Sequence, residues 1–135
     1  MTFVKRKLVR FAHVDAAGIV FYPRYFELVN AVIEDYFAER VGVDFATMHG
    51  MRRIGVPTVA LDADFTSPSR LGDRLDFALA VARVGRTSAE VEVAVRCDDA
   101  ARLRARVVLV CMDLDAASAL AWPDDIRSVL AADVS

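Results

Sequence analysis

Residues 22–42 read Tyr22-Pro-Arg-Tyr-Phe-Glu-Leu-Val-Asn-Ala-Val-Ile-Glu-Asp-Tyr-Phe-Ala-Glu-Arg-Val-Gly42, and their period decides the fold class. Tyr22, Phe26, Val29, Ile33, Phe37 and Val41 recur at helical spacing, while Arg24, Glu27, Glu34, Asp35 and Glu39 fall elsewhere on the wheel. Pro23 suits a first helical turn, where its missing N–H would be unbonded anyway, and Gly42 suits the left-handed stop. A long helix over Pro23–Val41 follows. Working outward, the period changes to two. Thr2 to Phe11 is β-prone and gives a first strand. After the helix, Asp44 to His49 reads as one further helical turn and Gly50 to Gly55 as loop. Four strands then alternate apolar with polar or small side chains: Val59, Leu61, Ala63 and Phe65; Leu75, Phe77, Leu79 and Val81; Val91, Val93, Val95 and Cys97; Leu103, Ala105, Val107, Leu109 and Cys111. Trp122-Pro123 precedes a closing helix, Asp124 to Leu130, with Asp124 as its cap. One long helix on one face of an antiparallel sheet is an α+β layer. The short connections predict a four-strand meander, with the first strand added where the helix returns it. Val108, Val110 and Met112 make the last strand's second face more apolar than a solvated edge should be, which points to pairing or packing against another subunit.

The chain has 135 residues, enough for one domain spanning 1–135 and too few for a second core. At 56% hydrophobic residues it can offset the entropy of folding, so wholesale disorder is excluded. Seventeen basic against nineteen acidic residues, a net charge of −2, argue against nucleic acid as the main partner. The longest uninterrupted apolar run, Val107 to Met112, is far short of a membrane span, and no basic-then-apolar leader opens the sequence. No membrane partner and a cytoplasmic setting are the expectations. Cys97 and Cys111 lie in strand patterns without a C-x-x-C pair or a neighbouring histidine, as reduced, buried side chains would. No metal site is expected. Lys5 and Lys7 are the only lysines; the arginines reflect either compositional bias or donors that grip phosphate.

Chemistry concentrates in Phe11-Ala-His-Val-Asp-Ala-Ala-Gly-Ile-Val-Phe-Tyr-Pro-Arg-Tyr25. The Asp15 carboxylate is followed by a small, flexible loop and then the start of the long helix, whose unpaired N–H groups form its positive end. Such a terminus polarises a carbonyl oxygen and holds the charge that builds there during acyl transfer. Gly18 lets the backbone approach a ligand closely. Taken alone, an Asp near a helix start also fits a cap or loop residue.

Asp15-Ala-Ala-Gly-Ile-Val-Phe-Tyr-Pro-Arg-Tyr25 resembles the active-site signature of hotdog-fold acyl-CoA thioesterases. It is most similar to the aspartate-using 4-hydroxybenzoyl-CoA thioesterase family, with the pattern D-x-A-G-I-V-[FW]-Y-P-x-Y. The similarity continues through Gly55-Val-Pro-Thr-Val59, Asp64-Phe-Thr-Ser-Pro-Ser-Arg-Leu-Gly-Asp-Arg-Leu75 and Trp122-Pro-Asp-Asp125, so it covers nearly the whole chain. It implies a five-stranded antiparallel sheet wrapped around the Pro23–Val41 helix. It also implies dimers that extend the sheet with active sites at their interface, and tetramers of two such dimers. No cofactor is implied, because coenzyme A is part of the acyl-CoA substrate. By this resemblance Asp15 attacks the thioester carbonyl or activates water, the backbone N–H of Tyr22 polarises the carbonyl, and Gly18 and Ile19 shape the approach. Phe21, Tyr22, Tyr25 and Phe26 would line a pocket for an aromatic acyl group, although Phe26 also sits on the core stripe. A thiolate leaving group with a pKa near that of free Cys, about 8.5, needs no strong acid to depart.

Three positions depart from the pattern. His13 stands where the aromatic-CoA enzymes tend to have an acid; it is either a locally bonded loop residue or an orienter of Asp15. Asn30 stands in the predicted apolar stripe where the relative has Asp, and a buried Asn there needs partners across the subunit interface or in the Asp15 loop. Arg86 and Thr87 replace a more basic turn, leaving Arg70 and Arg86 as candidates for the phosphates of coenzyme A. Glu27 and Glu34 read as a solvated helix face, and His49 as a loop residue. A short-chain aliphatic thioesterase, a hydratase using His13 with Asp15, and a non-catalytic binder of acyl-CoA or acyl carrier protein are the competing readings.

Overall fold

A computed structural model describes residues 1–135. Its strands are β1 (Thr2–Leu8), β2 (Ile54–Gly55), β3 (Thr58–Phe65), β4 (Arg74–Val84), β5 (Ser88–Cys97), β6 (Ala100–Val110), β7 (Met112–Asp113) and β8 (Ser118–Ala119). The helices are α1 (Tyr22–Tyr36), α2 (Phe45–Gly50) and α3 (Asp124–Ala132). The main sheet has five strands in the order β1-β4-β5-β6-β3, every neighbouring pair antiparallel. β2, β7 and β8 form a small second sheet.

Period two decides which side chains face the helix. Leu75, Phe77, Leu79 and Val81 on β4, Val91, Val93 and Val95 on β5, and Leu103, Ala105, Val107 and Leu109 on β6 are all buried. They meet Tyr25, Leu28, Val29, Val32, Ile33 and Tyr36 of α1 in one core cluster. The buried stripe of α1 therefore includes Tyr25 and Leu28 and leaves Tyr22 60% exposed, a shift from the predicted Tyr22-Phe26 start. After Tyr36 the last turn, Phe37–Val41, widens to π spacing before Gly42 stops the helix at φ +88. On the same inner side of β1, Lys7 pairs with Asp35 at 2.8 Å and Lys5 with Glu39 at 3.0 Å, so Lys7 holds α1 and Lys5 the turn that follows it.

Six expectations need correction. β3 does not lie beside β4 in a meander; it crosses to the far edge and pairs with β6. There most of its apolar row stays out of the core: Val59 is 61% and Phe65 49% exposed, because an edge strand has a neighbour on one side only, and Ala63 alone packs against the buried cluster. β6 is consequently an inner strand, so Val108 cannot pair with another chain and lies half-buried on the outer face. β1 ends at Leu8, since the backbone of Phe11–His13 turns into a 3₁₀ coil and leaves Phe11 82% exposed. Finally, Pro123 occupies the cap position of α3. Asp124 stands inside the first turn without capping it, and the neighbouring Asp125 holds Arg52 at 2.8 and 2.9 Å. Within the predicted 50–55 loop, Ile54–Gly55 pairs with Met112–Asp113.

The C-terminus is pinned by a buried carboxylate. Asp133, 2% exposed, accepts from the Tyr36 phenol at 2.8 Å and from Arg40 at 2.6 Å, and Ser135 N–H donates to Val81 O. Burial alone would raise the Asp133 carboxyl, but Arg40 and Tyr36 outweigh it and hold the group below the ordinary carboxylate range. A lowered folded-state pKa adds stability above the unfolded value, and that stability is lost as pH falls through the folded value. Asp133→Asn should cost about 2 kcal/mol at neutral pH. The variant should also lose less stability than wild type on acidification below about pH 4. Urea unfolding at a series of pH values reads both effects.

Candidate active site

The segment between β1 and α1 folds back on itself as a tight hairpin. Val14 and Val20 form an antiparallel bridge, Asp15 N–H donates to Ile19 O at 3.0 Å, and Gly18 N–H donates to Asp15 O at 3.0 Å. Gly18 takes φ +76, which an L side chain rarely adopts, although the space around a Cβ there is open. Asp15 is exposed on this hairpin. Its Oδ1 accepts Ala17 N–H at 2.9 Å, an Asx turn that fixes the carboxyl plane, and its Oδ2 carries no bond within the chain.

The hairpin is fastened to the β3–β4 loop. Val20 N–H donates to Ser69 O at 2.8 Å, Leu71 N–H donates to Gly18 O at 3.1 Å, and Ile19 bridges to Arg70. Phe21 N–H donates to His13 O at 2.9 Å, and α1 then begins with no side-chain cap. Pro23 has no N–H, and Arg24 N–H returns to Phe21 O at 2.8 Å. That leaves the Tyr22 N–H without an acceptor in the chain, at the positive end of a 15-residue helix.

Beside this donor lies a cleft of about 300 Å³. Ile19, Val20, Tyr22 and Tyr25 form one side and Phe65, Thr66, Ser67 and Pro68 the other. Phe65 is its aromatic hub, with ring centroids 5.8 Å from Tyr25 and 6.2 Å from both Tyr22 and Phe26. Tyr25 is buried and bonds Ser69 Oγ at 2.6 Å; Phe21, half exposed, stands edge-on to Tyr22. Phe65 and the 66–69 segment were absent from the sequence-based candidates. Alternation along β3 assigned Phe65 to the core, and only the crossing of β3 to the sheet edge delivers it to the cleft.

The remaining candidates are dispersed. His13 Nδ1 accepts Arg10 N–H at 2.9 Å, and no hydrogen bond joins the ring to Asp15. Asn30 is exposed, contrary to the expected burial. The core stripe passes beside it, and it lines a second cleft of about 310 Å³ with Ile33, Glu34 and Thr58, making no bond to the Asp15 loop. Arg70 adjoins the hairpin through Ile19, whereas Arg86 lies past the other end of β4. Those 11 residues span roughly 35 Å, so the two arginines of one chain cannot serve one cleft. Glu27 pairs with Arg24, and His49 Nδ1 with Phe45 O at 2.8 Å. No three His, Cys, Asp or Glu side chains converge on a point where a metal would sit, and no helix is long and apolar enough to cross a membrane.

A family model described as the thioesterase-like superfamily matches residues 9–130. A curated relative named 1,4-dihydroxy-2-naphthoyl-CoA hydrolase, from Nostoc punctiforme, is 25% identical over 126 residues, covering 93% of this chain and 84% of the relative. Among solved structures, a 1,4-dihydroxy-2-naphthoyl-CoA thioesterase from Synechocystis superposes with a TM-score of 0.88 at 19% identity, covering 97% of this chain and 96% of the other. A thioesterase superfamily protein from Jannaschia sp. CCS1 superposes with a TM-score of 0.92 at 20% identity, covering 99% and 94%. These likenesses show the fold, the hotdog arrangement of sheet and helix.

The hairpin's dependence on Gly18 is measurable. Gly18→Ala meets no steric obstacle but must hold a left-handed backbone, at a cost of about 1 kcal/mol. Chemical denaturation should register a loss of that size with the overall fold retained by circular dichroism.

Proposed function

The chain belongs to the thioesterase-like superfamily and is a thioester hydrolase, and on that premise we propose that it cleaves an acyl-CoA whose acyl group is aromatic, with Asp15 as nucleophile or general base. The observation that carries this reading is the open N–H of Tyr22 beside an aromatic-lined cleft, with a half-free carboxylate in the adjoining hairpin. A thioester carbonyl seated against Tyr22 N–H would develop its negative charge at the helix's positive end. Asp15 Oδ2 would either add to the carbonyl carbon or take a proton from the water that does. In both cases the carbon–sulfur bond breaks and the thiolate departs; on the first route water then cleaves the acyl–Asp15 anhydride, releasing the acid and restoring the carboxylate. Gly18 and Ile19 shape the approach, and Arg70 is the nearest candidate for a phosphate of coenzyme A.

The rings of Tyr22, Tyr25 and Phe65 favour a planar acyl group by stacking and edge contacts. Relatives named 1,4-dihydroxy-2-naphthoyl-CoA hydrolase favour the same class. The hydroxybenzoyl group suggested by the sequence signature and the larger dihydroxynaphthoyl group are both candidates within it. The exposed apolar row of β3 supports an assembly in which two copies extend the sheet edge to edge. Two such dimers would join as a tetramer through the outer sheet face, where Val108 and Val110 are half-buried. Arg86 would then act on a neighbouring chain's cleft. Two free cysteines fit a reducing, cytoplasmic setting.

Thiol release from benzoyl-, 4-hydroxybenzoyl-, 1,4-dihydroxy-2-naphthoyl-, acetyl-, butyryl- and palmitoyl-CoA tests the reading. Aromatic thioesters should be preferred. Asp15→Asn should lower turnover roughly a hundredfold or more while ligand binding persists. Preference for an aliphatic chain would overturn the substrate, and full activity in Asp15→Asn would overturn the mechanism.

A further inference from the structure

Beneath the cleft lies a buried polar chain that the hydrolytic reading does not use. Tyr25 is 3% and Ser69 1% exposed, and their hydroxyls lie 2.6 Å apart. Arg102 Nη1 has two hydrogens for Asp73 Oδ2 and Pro68 O, each at 2.8 Å, and lies 3.3 Å from Ser69 Oγ, which can only share one of them. Guanidinium only donates, so Ser69 Oγ accepts from it. The two hydroxyls own two protons, and one bond between them uses one. The second proton has no acceptor within the chain, and a buried donor left without one is costly. Of the two residues, Tyr25 lines the cleft and Ser69 does not.

Both hydroxyl protons are used only if Ser69 donates to Tyr25 and Tyr25 donates to an oxygen in the cleft. Hydroxyl rotation alone converts the unoccupied arrangement, with Tyr25 donating to Ser69, into that one. Solvent in the cleft can serve the spare O–H of the free protein, but a ligand that displaces it must bring an acceptor or forfeit the bond. We propose that Tyr25, backed by Ser69 and Arg102, reads an oxygen substituent on the aromatic acyl group, making the site selective for hydroxylated over unsubstituted rings. This rests on the aromatic acyl-CoA reading and adds the substituent that reading left open. Selectivity of this kind favours ligands that complete a buried polar group over isosteres that strand it.

The test separates binding from turnover. Calorimetry on the whole protein compares benzoate with 2-, 3- and 4-hydroxybenzoate as probes of the cleft, for wild type, Tyr25→Phe and Ser69→Ala. At least one hydroxybenzoate should bind wild type roughly tenfold more tightly than benzoate. Tyr25→Phe, which keeps the ring and its packing, should bring the two to equal affinity. Ser69→Ala should keep a reduced preference, because the phenol still donates without its backing. Melting curves establish that each variant is folded, and Tyr25→Phe carries the decision if Ser69→Ala is not. Equal binding of all four acids to wild type, binding of none, or a preference that survives Tyr25→Phe overturns the proposal. Thiol release from the matching CoA thioesters is measured alongside. Its absence would count against the hydrolase reading, while the binding pattern alone decides the role of Tyr25.

Discussion

Seating α1 on three neighbouring strands is the constraint from which the rest of this molecule follows. β4, β5 and β6 turn alternate side chains to one face, and that face is long enough to bury the stripe from Tyr25 to Tyr36. The first turn of a helix seated in this way meets only the end of the edge strand β3, through Phe65. The polar ends of its peptide groups have to be dealt with there by other means. At the C-terminal end the chain does so with Gly42 and the widened π turn, which carries Arg40 to Asp133. At the N-terminal end it leaves the Tyr22 N–H open.

Ser69 explains why that open end is also an ordered one. Its carbonyl receives Val20 from the hairpin, its hydroxyl meets Tyr25 from the helix, and Arg102 from β6 holds it from behind. The loop containing it is tied further by Asp73, whose carboxylate accepts Arg70 N–H at 2.9 Å and the Arg102 guanidinium. The backbone bond from Arg70 leads in holding Asp73 below the usual carboxylate range; burial opposes it and Arg102 adds to it. Three segments distant in sequence are thereby fixed around one small cleft. The catalytic candidate Asp15 can remain exposed without wandering, because Ala17 and Ile19 hold its backbone and one of its oxygens.

Legibility in the sequence followed the range of the interactions. Periods of two and 3.6 are local, so β4, β5, β6 and α1 could be read, as could Gly42, whose role depends on its own backbone angle. The partner of β3 could not. Its apolar alternation reads the same beside β4 or beyond β6, and it is β1, paired along the edge of β4, that leaves β3 the far edge. That single long-range choice moved Phe65 from the core to the cleft and made β6 an inner strand. Asn30 was misplaced by a smaller error of the same kind, a helical stripe drawn one residue off because its neighbours on the sheet were unknown. That Asp15 and Gly18 stand in a loop leading to an open helix start at Tyr22 was legible, because the short segment from 15 to 25 contains both the loop and the helix start. Ser69 and Arg102 were not, since a serine in a Pro-containing turn and an arginine on a strand have no local pattern that pairs them.

The candidate site draws on two separate parts of the fold. The carboxylate and the open N–H come from adjoining residues of one segment, so their relation depends on a hairpin of seven residues, Val14 to Val20. The cleft beside them is set by β3, by the loop after it and by Arg102 on β6. A change at Phe65 or Thr66 can therefore reshape what the cleft accepts while leaving Asp15 and Tyr22 where they are. Ser69 touches both parts, through its carbonyl to the hairpin and through its hydroxyl to Tyr25, which makes it the position where a substitution would disturb the hairpin and the cleft together.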